Sequence, residues 1–525
     1  KLKIKMYNKK IALPNRYIYP IILSIFSVLI NQYYGYVGIL PIDSFLIFNS
    51  GYDFLNGYYP FKDYWTIKEP FIDFLQSLFF KLFGVSWFVY VLHASLFNLI
   101  ISLSTYFILR FFKLSELFSF LYSFCVAALT YPTAGTPFSD HHTLILCVLA
   151  IYLFLVAIKT NKNFFWFLIP IILGLSFLSK QAPTIYVVGV ISIFSIFYFV
   201  KKKQFKGLLF SIIGLTIFLL IFFLILIFAD IKFIDFINQY ILFPQSLGTS
   251  RLEWVFPLEF KRFILRFKIH YLSIFFMFLI IVRSILFKNK QIKIEDYIIL
   301  LTLITLCILF IFHQLMTINA IFIYCLIPIF LAFSHIYSDI FYKIKYLKNF
   351  FIIFLLISSS YYFITYVHNR TFMDLRSVDL NKAIDAGQIN NRLSGIKWIT
   401  IFYPEKPEQE IEKINSAVEI LKKDKEKKMI ITDYQFISVF LNQYDYAVTR
   451  FWYDFHGYPS SDNKFFGYWK KFVLNKIEEN KIKHIYVLKP LHGENKPLEN
   501  ILKKCYKKKV FSESFYRLNV SSCVF

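Results

Sequence analysis

Charged residues are scarce in this sequence of 525 residues: they make up 17% of it, against about 25% in ordinary soluble domains. Hydrophobic residues make up 57% and aromatic residues 21%, and the mean hydropathy is +0.54. A soluble globular protein has no use for so much apolar surface, so the composition excludes that class. It indicates a polytopic α-helical membrane protein.

Long, mostly apolar stretches predict the membrane spans, because a helix needs about 20 such residues to cross the hydrocarbon core. Their boundaries are good to a few residues. The sequence contains eleven such stretches, at 17–40, 86–110, 114–131, 141–159, 163–179, 182–200, 207–229, 269–287, 296–313, 316–337 and 349–367.

The positive charges lie between these spans and predict their orientation. If the N-terminal "KLKIKMYNKK" is cytoplasmic, every inner connection carries positive charge: Arg110 with Lys113, 159–162, 201–206, 288–293 and 343–348. Eleven spans then leave the C-terminus outside. The net charge of +25 is largely accounted for by topology, so no nucleic-acid partner is expected. The first run lacks a small-residue cleavage site and is interpreted as a retained anchor.

The long apolar runs stop near residue 368, where a soluble α/β domain is predicted over 368–525 after a transmembrane domain over 1–367. Short β-rich runs alternate with amphipathic helices. The predicted strands are 398–403, 428–434 and 483–489. The predicted helices are 406–424 and 465–480, and a third helix is predicted to start with the segment 498–508. Cys505 and Cys523 lie in this domain, where a disulfide is chemically permitted, while the other four cysteines are expected to be buried in spans.

Ionisable groups are almost missing from the span interiors, and no internal repeat is visible, which disfavours a lipid or polysaccharide transporter. His93 is the main exception, and a hydrogen-bonded packing role is expected for it. Titratable groups cluster instead at the outer ends of the spans and in the outer loops, which predicts a site facing outward. They are Asp43, Asp63, Lys68, Glu69, Asp140, His141, His142, Lys180, Arg251, Glu253 and His313.

The first outer loop, 41–85, is predicted to hold two interfacial helices, 43–57 and 69–84, that form an aromatic shelf for a lipid-linked substrate. Most of its aromatics fit the ordinary interfacial belt equally well. Asp43 stands at the aqueous end of the first span, either as a helix N-cap or as a functional carboxylate, and both roles are compatible.

The other candidates also carry two interpretations. Ser139 or Asp140 is expected to cap the fourth span, and His141 and His142 either hydrogen-bond a sugar or bind a metal, although adjacent histidines face different sides of a helix. The side chain of Lys180 either extends along the apolar surface to bring its ammonium to water or binds an anion. Arg251 and the later outer loop, 230–268, add positive charge where topology does not require it, so their partner is either a lipid headgroup or a substrate phosphate.

The first loop resembles that of the GT-C superfamily of membrane glycosyltransferases, especially the protein O-mannosyltransferase and lipid A aminoarabinose transferase branch. The matching parts are Asp43, "NGYYP" at 56–60, "IKEP" at 67–70 and "KLFG" at 81–84, in that order. "LSKQ" at 178–181 also resembles bacterial members. Many relatives have an Asp-Glu pair where this chain has Asp43 and Ser44, and often Glu where it has Ile67.

The resemblance implies a polyprenyl-phosphate sugar donor used on the outer face, with Asp43 as the catalytic base or as a group that orients the acceptor, and with Lys68 near the donor phosphate. An inverting transfer needs one carboxylate to take the acceptor proton, whereas the phosphate leaves without a protonated acid. Lys180 and Arg251 would join Lys68 in stabilising the phosphate. Asp63, Asp140, His141, His142 and His313 are further substrate-binding candidates.

No cofactor is required for a monophosphate donor, although a pyrophosphate donor would make a divalent metal more plausible. The acceptor is a lipid, a glycan or a protein. An O-antigen polymerase or ligase is the alternative enzyme class. The Lys-, Ile- and Phe-rich composition is typical of an AT-biased bacterial genome, and it predicts an inner membrane with the outer side periplasmic.

Overall fold

A computed structural model describes residues 15–256, 259–287, 292–342, 345–453, 456–491, 498–499, 501–502 and 505–523. The basic N-terminal segment and parts of the predicted inner loops 288–293 and 343–348 lie outside these residues. The transmembrane part is helical. Its helices are α1 Asn15–Tyr34, α2 Pro41–Ser44, α3 Leu46–Leu55, α4 Pro70–Phe83, α5 Trp87–Phe111, α6 Glu116–Leu129, α7 Ser139–Thr160, α8 Asn163–Ser179, α9 Gln181–Lys202, α10 Lys206–Phe228, α11 Phe233–Phe236, α12 Phe243–Val255, α13 Lys268–Leu286, α14 Ile294–Met316, α15 Leu326–Tyr342 and α16 Lys345–Tyr362.

The polytopic helical fold predicted from the sequence is confirmed. Within the described ranges, nine helices are long and apolar enough to cross a membrane: α1, α5, α7, α9, α10, α13, α14, α15 and α16. Two shorter helices, α6 with 14 residues and α8 with 17, occupy the predicted third and fifth spans. The first span is shorter than predicted, because α1 ends at Tyr34 and the chain turns at Gly38, whose φ is +72°.

Contacts at the two ends of the bundle show how the spans alternate. At one end, Gly38 donates its backbone N–H to Lys397 at 3.1 Å and Lys397 donates to Tyr36 at 2.8 Å, so the residues after α1 and the C-terminal region lie together. We call this the loop end. At the opposite end, the first turn of α14 pairs with two other helices, through Lys159 with Asp296 and Lys202 with Glu295. Both sets of contacts are explained if the chain crosses the membrane an odd number of times from the start of α1 to the end of α16.

The first loop folds into two packed helices, as predicted, although each is shorter than expected. α4 begins with Pro70, whose fixed φ suits the first helical position, and ends before Gly84, whose φ is +85°. Gly51 in α3 lies against Gln76 of α4, where an added Cβ would come within 2.6 Å of Cγ of that side chain. This close approach joins the two helices.

The C-terminal region is an α/β domain. Its helices are α17 Pro407–Lys423, α18 Ile437–Leu441 and α19 Phe466–Glu479, and its strands are β1 Ile384–Asp385, β2 Lys397–Trp398, β3 Lys428–Thr432, β4 His484–Leu488, β5 Lys507–Ser512 and β6 Phe515–Asn519. The main sheet has the order β3-β4-β6-β5, in which β3 and β4 are parallel and the other pairs are antiparallel. The strands predicted at 428–434 and 483–489 and the helices predicted at 406–424 and 465–480 are therefore confirmed.

Two predicted elements of this domain differ. The strand expected at 398–403 is reduced to Lys397–Trp398. These two residues pair with β1 in an antiparallel ladder, and the chain turns after them. The helix expected at 498–508 is wrong: its described residues 498–499 and 501–502 form turns, and β5 begins at Lys507. Leu498, Ile501 and Leu502 have helical spacing but are buried without continuing as a helix. A disulfide joins Cys505 to Cys523 and ties this segment to the end of β6.

The first loop and the C-terminal domain share one hydrophobic core. Phe45, at the junction of α2 and α3, packs its ring 4.6 Å from that of Phe436 and 5.9 Å from that of Trp398. Phe45 also contacts Trp87 at the start of α5, with ring centroids 5.4 Å apart. The first loop is thus held between the helical bundle and the C-terminal domain.

Candidate functional site

Asp43 lies in the first turn of α2, at the loop end. It caps neither neighbouring helix, because the N-cap residues of α2 and α3 are Leu40 and Phe45; the predicted capping role is therefore wrong. The backbone N–H of Leu40 donates instead to the Ser44 hydroxyl at 3.1 Å. The half-buried carboxylate of Asp43 interacts with the ammonium of Lys68.

Lys68 precedes α4 and lies among one carboxylate and two aromatic rings. Its Nζ is 2.9 Å from Glu69 Oε1, 5.4 Å from the ring centre of Phe138 and 5.0 Å from that of Phe451. Burial opposes the positive charge, but the carboxylates of Glu69 and Asp43 outweigh it, so the pKa of Lys68 is raised. Lys68 is therefore a half-buried group that is positively charged at neutral pH.

Asp140 and Lys180 form the second charged pair of the loop end. Asp140 is in the first turn of α7, and Lys180 stands between α8 and α9. The ammonium lies 2.7 Å from both carboxylate oxygens. Because the N-cap of α7 is Phe138 and makes no side-chain cap, the expected capping by Ser139 or Asp140 is wrong. Burial lowers the pKa of Lys180, and the positive charge of Lys68 acts in the same direction while Asp140 opposes it.

Arg251 of α12 and His313 near the end of α14 complete the group. Burial lowers the pKa of Arg251, against the opposing charge of Asp140. His313 interacts with Lys180, Asp140 and Arg251, and its Nε2 is buried without a hydrogen-bond partner among the described residues. Charge interactions thus link six of the residues predicted from sequence: Asp43, Lys68, Asp140, Lys180, Arg251 and His313.

The remaining predicted residues have other contacts. The Asp63 carboxylate accepts the backbone N–H of Tyr59 at 2.7 Å and closes a turn of its own loop. His142 is turned into the bundle, where its Nε2 is 3.0 Å from that of His93 and its Nδ1 bonds the Tyr131 hydroxyl. His141 stacks on the Tyr131 ring at 5.0 Å.

The hydrogen-bonded packing role expected for His93 is confirmed, since its Nδ1 also lies 2.9 Å from Gln76 Oε1. Among the described residues, no group of three or more His, Cys, Asp or Glu side chains is arranged to hold a metal ion.

Beside Lys68 and Glu69 lie three residues that sequence reasoning did not select: Asp73, Thr449 and Phe451. A narrow cleft is lined by Lys68, Glu69 and Asp73 from the first loop and by Thr449 and Phe451 from the C-terminal domain. Glu69 has a left-handed backbone, with φ +80°, a strained conformation for a residue with a Cβ.

Asp73 is buried in the wall of this cleft. It accepts from the Ser50 hydroxyl at 2.5 Å and from the Tyr64 hydroxyl at 3.3 Å. Burial, with the charge of Glu69, raises the pKa of Asp73 to about 8, so the carboxyl is largely protonated at neutral pH. The wall that Asp73 forms is therefore polar but carries little charge.

A buried ion-pair cluster joins the first loop to the C-terminal domain near the cleft. Arg450 donates to both oxygens of Asp445, at 2.7 and 2.9 Å, and pairs with Asp53 of α3. Its guanidinium also lies 4.5 Å from the ring centre of Tyr64. The sequence carries no signal for this cluster, because Asp53 is almost 400 residues from Asp445 and Arg450 in the chain.

The fold and the site define a class: a polytopic membrane protein with several carboxylates and partly buried cations at one end of its bundle. The family model of the dolichyl-phosphate-mannose-protein mannosyltransferases matches residues 68–228, and this match supports membership of the chain in the GT-C superfamily. It also supports a membrane glycosyltransferase that uses a lipid-linked sugar donor. The matched segment contains Lys68, Asp140 and Lys180, while Asp43, Arg251 and His313 lie outside it. No curated protein matches the chain significantly.

Proposed function

We propose that the protein transfers a sugar from a polyprenyl-phosphate donor to an acceptor hydroxyl on the outer face of a bacterial inner membrane, with inversion at the anomeric carbon. The observation that carries the proposal is the charge interaction of Asp43 with Lys68, because it couples a half-buried carboxylate to a half-buried cation at the loop end. The acceptor class is a lipid, a glycan or a protein.

Asp43 is the proposed base. The acceptor oxygen attacks the anomeric carbon as the bond from that carbon to the phosphate oxygen breaks, and Asp43 takes the acceptor proton. The electron pair of the broken bond leaves with the phosphate, which needs no proton from the protein, unlike the leaving group in glycoside hydrolysis. A single carboxylate is therefore sufficient, and the reaction uses no redox chemistry.

Three cations stabilise the leaving phosphate in this proposal. Lys68 remains charged because its pKa is raised, and Lys180 and Arg251 add positive charge on the side of Asp140. One well-placed donor can contribute roughly 3 to 4 kcal/mol of transition-state stabilisation. Asp140 acts by holding Lys180, and His313 contacts the substrate through its buried Nε2. We also assign substrate contacts to Asp63, His141 and His142.

The orientation rests on charge and on cysteine chemistry. Lysine-rich connections lie at the end opposite the site, at 159–162 and 201–206, which is the pattern of cytoplasmic loops. The disulfide between Cys505 and Cys523 supports an oxidising compartment for the C-terminal domain. We therefore place the N-terminus in the cytoplasm and the domain 368–525 in the periplasm, next to the membrane domain 1–367.

Membranes that contain the protein, incubated with labelled polyprenyl-phosphate sugars, test the proposal. We expect consumption of one of these donors and release of unlabelled polyprenyl phosphate. Consumption of a pyrophosphate-linked oligosaccharide instead would favour the polymerase or ligase class. Movement of label across the membrane without cleavage of the sugar–phosphate bond would favour a transporter.

A further inference from the structure

Phe451 belongs to the C-terminal domain but contacts the first loop. It lies on the segment between α18 and α19, next to residues that pair with the loop. The backbone N–H of Trp65 donates to the carbonyl of Val448 at 2.8 Å, and Trp65 and Thr449 form a parallel β-bridge. The segment that carries Phe451 is thus paired through its backbone with the loop that carries Lys68.

Buried polar contacts hold this segment in register with the loop. Arg450 is 3% exposed and joins Asp445 of its own segment to Asp53 of α3. Asn49 of α3 donates to the same Asp445 at 3.1 Å. Because a buried ion pair is costly to break, the position of Phe451 relative to Lys68 is firmly set.

Two aromatic rings lie beside Lys68 and stabilise its positive charge without supplying a negative charge. Phe138 comes from the helical bundle and Phe451 from the C-terminal domain, and both ring centres are within the range of a cation–π interaction, at 5.4 and 5.0 Å. An ammonium has three N–H groups, and the carboxylate oxygen Oε1 of Glu69 lies 2.9 Å from its nitrogen as an ion pair. A ring face attracts the ammonium through its quadrupole. Because the ring has no net charge, it does not weaken the attraction between Lys68 and a phosphate.

We propose that Phe138 and Phe451 form an aromatic clamp that positions the Lys68 ammonium for the donor phosphate, so that the C-terminal domain completes the phosphate site. Phe451 is a positioning residue in this account, since it acts through Lys68. The proposal rests on the proposed function for the identity of the phosphate. The clamp itself is a property of the protein that is measurable without turnover.

Ring fluorination tests the clamp kinetically, because it weakens the quadrupole with little change in size. Phenylalanine carrying one, two or three ring fluorines is placed at position 451 of the full chain. We expect the kcat/KM for the polyprenyl-phosphate sugar to fall stepwise, by roughly 5- to 30-fold for three fluorines, while Phe451→Tyr retains activity. The same series at Phe440, a half-buried ring of the same domain that packs on Phe436, is the matched control and leaves kcat/KM unchanged. Values within twofold of the parent along the whole 451 series would overturn the clamp.

Chemical labelling of Lys68 separates the clamp from the reaction. Membranes are pulsed with acetic anhydride, and acetylation of Lys68 is measured by mass spectrometry. We expect several-fold faster labelling in Phe451→Leu than in the parent, and parent-like labelling in Phe440→Leu. If labelling of Lys68 is faster in Phe451→Leu but the parent consumes no lipid-linked sugar, the clamp is supported and the proposed function is wrong. Equal labelling of Lys68 in Phe451→Leu and the parent would overturn the clamp even if the parent is an active transferase.

Discussion

Lys180 holds its ammonium 2.7 Å from both carboxylate oxygens of Asp140, although the two residues stand in different parts of the bundle. Asp140 opens α7 and Lys180 lies between α8 and α9, so the pair fixes the loop ends of three helices against each other. Both side chains are largely buried, at 8% and 19% exposed. The pair therefore connects the packing of the bundle to the placement of positive charge in the site.

The Asp140→Asn variant tests this connection. It leaves the Lys180 ammonium buried without its counter-ion, which should lower the free energy of unfolding by about 3 to 5 kcal/mol. Thermal unfolding in detergent micelles measures the loss. The double variant Asp140→Asn, Lys180→Met should recover most of the stability, because it removes the unpaired charge as well. An unfolding temperature of Asp140→Asn equal to that of the parent would contradict this account of the pair.

The charge of Lys68 should matter more than its bulk. Lys68→Met removes a cation that stabilises the leaving phosphate, and we expect kcat for sugar transfer to fall by about 10² to 10³. Lys68→Arg keeps the charge and should retain a larger share of the activity. Steady-state rates with a labelled polyprenyl-phosphate sugar compare the two variants, and similar losses in both would show that charge is not the property that Lys68 supplies.

Asp73 should make stability depend on pH. Its folded pKa is about 8, above the ordinary 3.8, so between these values the native state holds a proton that the unfolded state has lost. Stability should therefore fall as pH rises from about 4 to about 8, by at most about 1.4 kcal/mol per pH unit, and level off above. Asp73→Asn mimics the protonated form and should flatten the profile in that window.

Thermal unfolding over a pH series compares Asp73→Asn with the parent. The matched control is Asp374→Asn, a carboxylate at an exposed position of the C-terminal domain, which should keep the parent slope. A variant profile as steep as that of the parent would show that Asp73 is ionised in the native protein at neutral pH.

The disulfide should stabilise the end of the C-terminal sheet. Cys505 and Cys523 are separated by 18 positions, and closing a loop of this size is worth about 3 kcal/mol in the chain-entropy account. Cys505→Ser with Cys523→Ser should therefore lower the hydrogen-exchange protection of β5 and β6. A reducing agent should lower protection in the parent and leave the double variant unchanged; protection in the double variant equal to that of the oxidised parent would contradict the assignment.

Periodicity and charge placement were enough to predict the helical bundle, the two helices of the first loop and the alternating domain after it. They also selected Asp43, Lys68, Asp140, Lys180, Arg251 and His313, because a charge at the end of an apolar span is costly and therefore informative. The rest depends on tertiary contacts. The ring of Phe451 meets Lys68 only through a β-bridge between distant segments, and no local pattern marks that ring among the 66 phenylalanines.

Local reasoning failed where tertiary contacts outweighed propensity. Residues 498–502 have the spacing of a helix, but the pairing of β5 with β6 and the disulfide at Cys505 direct the following chain into a hairpin. Asp43 looked like a helix cap, but it lies inside α2, whose N-cap residue is Leu40, and the N-cap residue of α3 is Phe45.

The measurement that tests the central proposal most directly is the rate at which Asp43→Asn transfers a labelled sugar from polyprenyl phosphate. An amide cannot take the acceptor proton, so we predict a fall in kcat of about 10² to 10⁴, with the donor still bound. Asp379→Asn, at an exposed position of the C-terminal domain, is the matched control and should transfer at the parent rate. Transfer by Asp43→Asn at the parent rate would contradict the role of Asp43 as the base.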